Sequence, residues 1–176
     1  MSVMRYVALL RGINVGGRIV KMADLKVCLE GIGFSNVKTL LQSGNVVFEA
    51  DESNVKTLKQ QMEAALTKTF DYPAKVQVMS MKQLEKIVVE YPFGTAGHGQ
   101  HDYVIFIENG LEKQIVQEDY QLAPGEKVQA GNGVVYWRVD KGSTLKSSFA
   151  LWLTKVKYKD FNTNRNVKTL RKLLVV

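Results

Sequence analysis

Apolar and polar positions alternate with two different periods along this chain, and the changes of period mark its elements. "MRYVALL", residues 4–10, is a short apolar run with β-branched and aromatic members, which predicts a buried strand. A polar, glycine-rich loop follows to about Lys21. Met22, Leu25, Leu29 and Ile32 then recur at helical spacing, and Gly31 and Gly33 supply a stop. "NVKTLL" and "VVFEA" are strand-like runs on either side of "QSGN", the pattern of a hairpin. Asp51 or Ser53 is positioned to cap a helix whose apolar face is Val55, Leu58, Met62, Ala65, Leu66 and Thr69. Tyr72-Pro73 ends that helix, and "KVQVMS" is another strand.

The order β-α-β-β-α-β is that of the split β-α-β, or ferredoxin-like, unit, with two helices on one face of a four-stranded antiparallel sheet. Ser80 and Gln83 have capping-box spacing before a short helix with Leu84, Ile87 and Val88. "YPFGTAGHGQHD", residues 91–102, then breaks all periodicity and reads as a linker or exposed loop. The pattern recurs after it: "DYVIFIE", a turn at Asn109-Gly110, a short helix from Leu111, "EKVQA" and "VVYWRVD" around "GNG", and a helix with Phe149, Trp152, Leu153 and Val156 on one face. "YKDFN" is the expected fourth strand, and a last helix buries Val167, Leu170 and Leu173 or Leu174. The expected fold is therefore α+β: two ferredoxin-like subdomains, residues 1–90 and 91–176, with a C-terminal helix.

Composition changes this picture little. Hydrophobic residues at 45% against 23% charged residues exclude a disordered chain. No apolar run approaches the length of a membrane span, and the run before Arg11 is too short for a secretory signal. The single cysteine, Cys28, excludes an internal disulfide, so a cytoplasmic protein is expected. Charge says more. From Arg138 onward there are ten Lys or Arg against two Asp or Glu, so the net charge of +7 resides in the C-terminal segment. Such a segment is either a solvated basic face or a surface for a polyanion.

Three polar segments are candidates for chemistry. "RGINVGGR" carries Arg11, Asn14, Gly16, Gly17 and Arg18 between a strand and a helix, the layout of phosphate-binding loops. Its glycine spacing fits neither the dinucleotide fingerprint nor the P-loop, so no nucleotide cofactor is implied. It is either an anion-binding loop or a turn whose glycines take positive φ. "QSGN" supplies Ser43 and Asn45, ordinary hairpin residues outside any nucleophile-elbow pattern. In the expected topology this hairpin is placed at the opposite end of the sheet from the glycine loop. "NTNRN" supplies Thr163, Arg165 and Asn166 just before the last helix, where Thr163 or Asn164 is the expected N-cap. His98, His101 and Asp102 lie close together, but nothing nearby completes a ligand set, and no metal is expected. Cys28 reads as a small buried hydrophobe. Tyr136 and Trp137 are consecutive, so one faces away from the local core; a covering second layer is expected there rather than a platform for stacking a base.

"RYVALLRGINVGGR", "MADL", "GF", "QSGNVVFEA" and "TNRN…TL…KL" together resemble a bacterial family of unknown function, domain-of-unknown-function family 1697, over Arg5 to about Leu173. The resemblance implies two ferredoxin-like halves and brings no activity, substrate or cofactor. Arg11, Gly12, Asn14, Gly16 and Gly17 match its first motif. Gln42, Ser43, Gly44 and Asn45 match its second. Thr163, Arg165, Asn166 and Thr169 match its third, where this chain has Val167 and Lys168 in place of the usual tryptophan and asparagine. Two functions are compatible with these residues. One is a binding module for an anionic ligand, a phosphorylated small molecule or a nucleic acid. The other is an enzyme acting on an anionic substrate, which lacks an evident general base in the three segments. Oligomeric state leaves no mark in the sequence.

Overall fold

A computed structural model describes residues 3–41, 44–108, 110–117, 120–155 and 162–176. The chain divides into two compact units: Met1–Glu85 with Lys172–Val176, and Lys86–Arg171. The first contains β1 (Met4–Arg11), α1 (Met22–Glu30), β2 (Ser35–Leu40), β3 (Asn45–Ala50), α2 (Val55–Phe70) and β4 (Lys75–Ser80). α3 (Met81–Val89) carries the chain from one unit to the other. The second contains β5 (Gln100–Ile107), α4 (Glu112–Gln117), β6 (Lys127–Ala130), β7 (Val134–Asp140), α5 (Ser148–Leu153) and β8 (Asn162–Asn166), and α6 (Val167–Leu173) follows. The sheets have orders β2-β3-β1-β4 and β6-β7-β5-β8, antiparallel throughout. Each is the split β-α-β arrangement, so the expected fold class is the observed one.

In the first unit, β1 is central. Tyr6, Ala8 and Leu10 pack on one face with Val46, Phe48, Val76 and Val78, beneath Leu25 and Leu29 of α1 and Leu58, Met62 and Leu66 of α2. Val7 and Leu9 of the alternate face are equally buried, which is why β1 reads as an unbroken apolar run. α2 is capped by Asn54, whose side chain accepts from the amides of Lys56 (3.0 Å) and Thr57 (3.3 Å), not by Asp51 or Ser53. An N-cap must stand immediately before the first helical residue to reach those donors. Thr69 is exposed rather than on the buried stripe. The Gln83 amide donates to Ser80 Oγ at 3.2 Å, as its spacing predicts. At the other end of the unit's sequence, the Arg5 guanidinium donates to the Val176 carbonyl.

In the second unit Ile105, Val135, Trp137 and Val139 form the core with Ile115 of α4 and with Phe149, Trp152 and Leu153 of α5. Trp137 and Tyr136 are both buried: the Trp137 indole donates to Glu126 Oε1 (2.8 Å) and the Tyr136 hydroxyl to the Ile87 carbonyl (2.9 Å). Cys28, in the first unit, is partly buried against its core. Asn109, Val156 and all but the last residue of the expected strand "YKDFN" lie outside the described residues. No helix of the described residues is long and apolar enough to cross a membrane.

Two further expectations change. "NTNRN" is not a cap preceding the last helix but strand β8 itself, paired to β5 from Tyr103↔Asn166 to Ile107↔Asn162. Polar side chains hid it, because an edge strand needs backbone partners more than an apolar face. The hairpin and glycine loop also lie at the same end of the first sheet. Leu9 pairs with Asn45, and the Leu10 amide donates to the Gly44 carbonyl at 2.7 Å. The reason is topological: β2 runs parallel to β1 after the α1 crossover, so the turn into β3 falls where β1 ends.

Gly44 is the pivot of that contact. Its φ is +71°, and a Cβ there would stand 2.7 Å from Leu10 Cβ and 2.8 Å from Ile13 Cγ2. Gly17 has a φ of +82° but open space around it. Gly17→Ala should therefore cost only the left-handed strain, about 1–2 kcal/mol. Gly44→Ala should cost about 1–3 kcal/mol more, from overpacking. Urea denaturation of the two variants checks this; equal losses would mean that the hairpin does not press on β1 as described.

Candidate functional site

The sequence-selected residues fall into both units. In the first, the segment after Arg11 folds back on itself. Asn14, left-handed at φ 57°, accepts through Oδ1 from the Val20 amide at 2.6 Å, and Ile13 and Val20 are buried beneath the loop. Asn45 is fully buried and donates through Nδ2 to the Leu40 carbonyl at 3.1 Å, closing the hairpin. Both asparagines thus hold loops in shape. Arg11 ends β1 opposite Lys75, and the Arg18 guanidinium lies 4.7 Å from the Tyr72 ring centroid. Gly16 and Gly17 are exposed between them in sequence. Gln42 and Ser43 lie outside the described residues.

In the second unit, Thr163 is buried in β8 opposite Phe106. Arg165, opposite Val104, is half-buried; burial lowers its guanidinium to about 10, so it remains a cation at neutral pH. Asn166 closes β8 and caps α6, accepting from the Lys168 amide at 2.9 Å. That corrects the expected cap: Thr163 and Asn164 lie too far upstream to reach α6's amides once they belong to a strand.

Asn166 also lines a cavity of about 280 Å³ at the N-terminal end of β5. Strand register assembles it. Gln100 pairs with Asp140, and the Lys141 amide donates to the Gly99 carbonyl at 2.7 Å, which brings Lys141 to one side. Tyr103 pairs with Asn166, which brings Lys168 and Arg171 to the other, three residues apart on one face of α6. The arch, residues 94–98 ahead of β5, lines it together with Gln100, His101 and Asp102. Among the described residues, no carboxylate lies within 4 Å of Lys141, Lys168 or Arg171 to form an ion pair, and no group of three or more His, Cys, Asp or Glu is placed to hold a metal ion.

The arch is held by Arg138. This buried residue is the cross-strand partner of Asp102 and donates to it twice, from Nε to Oδ1 at 2.7 Å and from Nη2 to Oδ2 at 3.0 Å. Its remaining donors reach the carbonyls of Phe93 (2.8 Å) and Gly94 (2.9 Å). The hydrogen bonds to Asp102 raise the guanidinium further above its ordinary value. Beside them the Tyr91 hydroxyl is pushed well above the phenol range, first by burial and then by Asp102, so it stays neutral. Asp102 is the one carboxylate among the described lining residues, and Arg138 offsets its charge, which leaves the lysines and Arg171 to set the sign of the cavity.

Sequence reasoning missed Lys141, Lys168, Arg171 and Gln100 as a group, because strand register rather than spacing brings them together. The basic C-terminal segment was the available signal. Arg138→Ala should strand a largely buried carboxylate and release the arch, costing about 3–5 kcal/mol. Chemical denaturation measures it; a loss below about 1 kcal/mol would show that the pair does not hold the loop.

The family model described as "Protein of unknown function (DUF1697)" matches residues 3–136. A solved structure, that of the conserved bacterial protein SP0830 from Streptococcus pneumoniae, is similar over 99% of this chain and 98% of that one, with 25% sequence identity and a TM-score of 0.81. No curated protein matches the chain. With well over half its length matched, and with the split β-α-β order present in both units, the chain belongs to the DUF1697 family of proteins of unknown function.

Proposed function

We propose that this protein binds a small phosphorylated molecule in the cavity at the N-terminal end of β5. The observation that carries the reading is the charge around it. Lys141, Lys168 and Arg171 line one recess, and the carboxylate there is already engaged by Arg138. A phosphate in that position would meet cations from two sides and the glycine-bearing backbone of the arch. A recess of about 280 Å³ suits a small molecule better than a nucleic acid, which needs a row of phosphate contacts along a surface. The loop of Arg11, Asn14, Gly16 and Gly17 with Asn45, and the β8 residues Thr163 and Arg165, are the other candidates for anion contact. The asparagines among them are occupied at least partly in holding their own loops. The single cysteine fits a reducing compartment, and we place this binding in the cytoplasm.

Calorimetric titration with inorganic phosphate at 50 mM and 200 mM salt tests the proposal. Binding should weaken with salt. The double variant Lys168→Ala/Arg171→Ala should lose at least tenfold in affinity, since each charge-assisted contact contributes about 1.5–3 kcal/mol. Lys26→Ala, on an exposed helix face, should change nothing. Loss of binding in Arg11→Ala with none in the double variant would move the site to the glycine loop and overturn the assignment.

A further inference from the structure

We infer that the ligand is a phosphorylated polyol, of the sugar-phosphate class, and not a nucleotide; this rests on the reading above that the cavity binds phosphate. The cavity offers the paired chemistry a hydroxyl needs. A hydroxyl both donates and accepts, so it is matched by an acceptor and a donor within reach of one another. In the lining, the Gln100 amide nitrogen is directed toward the Gly125 carbonyl (3.5 Å) and Asp140 Oδ1 (3.4 Å). Its oxygen lies on the side of Gly97, 3.6 Å from where a Cβ there would stand. Asn166 commits its oxygen to the Lys168 amide, which leaves its amide nitrogen as the donor. Asp102 and Thr95 add a further acceptor and a hydroxyl.

What the lining omits matters equally. Among the described residues it contains no Phe, Tyr or Trp, and the planar side-chain rings there are the imidazoles of His98 and His101. Nucleobase sites draw about 1–3 kcal/mol per base from aromatic stacking, which the described lining residues do not offer through a large ring. Its volume stands at the lower edge of the ~300–1,000 Å³ typical of small-molecule sites. Three cations account for the phosphate end, and the amides, hydroxyl and carboxylate account for the polyol end.

Calorimetric titration of the full chain with four probes tests this: inorganic phosphate, n-hexyl phosphate, glucose 6-phosphate and AMP. Glucose 6-phosphate should bind at least tenfold more tightly than n-hexyl phosphate, which is the same kind of ester without hydroxyls, and AMP should bind no more tightly than glucose 6-phosphate. Gln100→Leu together with Asn166→Ser, which retains a capping oxygen for α6, should abolish that tenfold preference while inorganic phosphate still binds. Equal affinity for the two hexose-sized esters, or tenfold tighter AMP, overturns the polyol assignment while phosphate binding stands. Failure of all four probes to bind overturns both readings.

Discussion

A guanidinium held out of water must have its donors met, and Arg138 shows what that requirement does to a chain. Two of its contacts cross the sheet to Asp102, and two reach the backbone of residues 93 and 94, a stretch with no periodic structure. Burying the charge is costly in itself, so the pair is weak evidence of net stability. Its effect is to specify. The guanidinium ties the carbonyls of residues 93 and 94 to Asp102, and so fixes where the arch begins. Tyr91 and Phe93 pack edge-on beside it, with ring centroids 5.4 Å apart, and Tyr91 also meets Tyr136 at 5.5 Å.

The second constraint is the topology of the split β-α-β unit, used twice. One crossover helix makes the first and second strands parallel, so each hairpin returns to the end where the unit's first strand finishes. In the first unit the turn presses on Leu10 and Ile13. In the second, a Cβ on Gly131 would stand 2.7 Å from Tyr136 Cε2. Both hairpins thus pack a glycine where no side chain fits, with no shared sequence around the two positions.

Most of the fold was legible because its elements obey simple periods. β1 and β7 are apolar runs, α2 carries a stripe at Leu58, Met62 and Leu66, and Asn132-Gly133 marks a hairpin. β8 was misread because its five residues are all polar and its evidence for strand character lies in its partner, β5. The helix cap at Asn54 was misplaced by one to three residues for a similar reason, since Asp51, Ser53 and Asn54 are all competent caps and only the path of the chain selects among them. The cavity was legible only as a surplus of positive charge. Lys141 and Lys168 are far apart in sequence and meet across β5 through two registers, which neither composition nor spacing records. The glycine loop, chosen for its resemblance to phosphate loops, uses its asparagine to close itself.

The last five residues belong to the first unit, where the Arg5 guanidinium meets the Val176 carbonyl. That unit is therefore discontinuous in sequence, with the whole of the second unit inserted before its final segment. A chain emerging from the ribosome can fold residues 86–171 as soon as they are free, yet the earlier-made unit stays one segment short until residues 172–176 have been added. Order of synthesis and order of completion are reversed, and no single cut in the chain separates the two units cleanly.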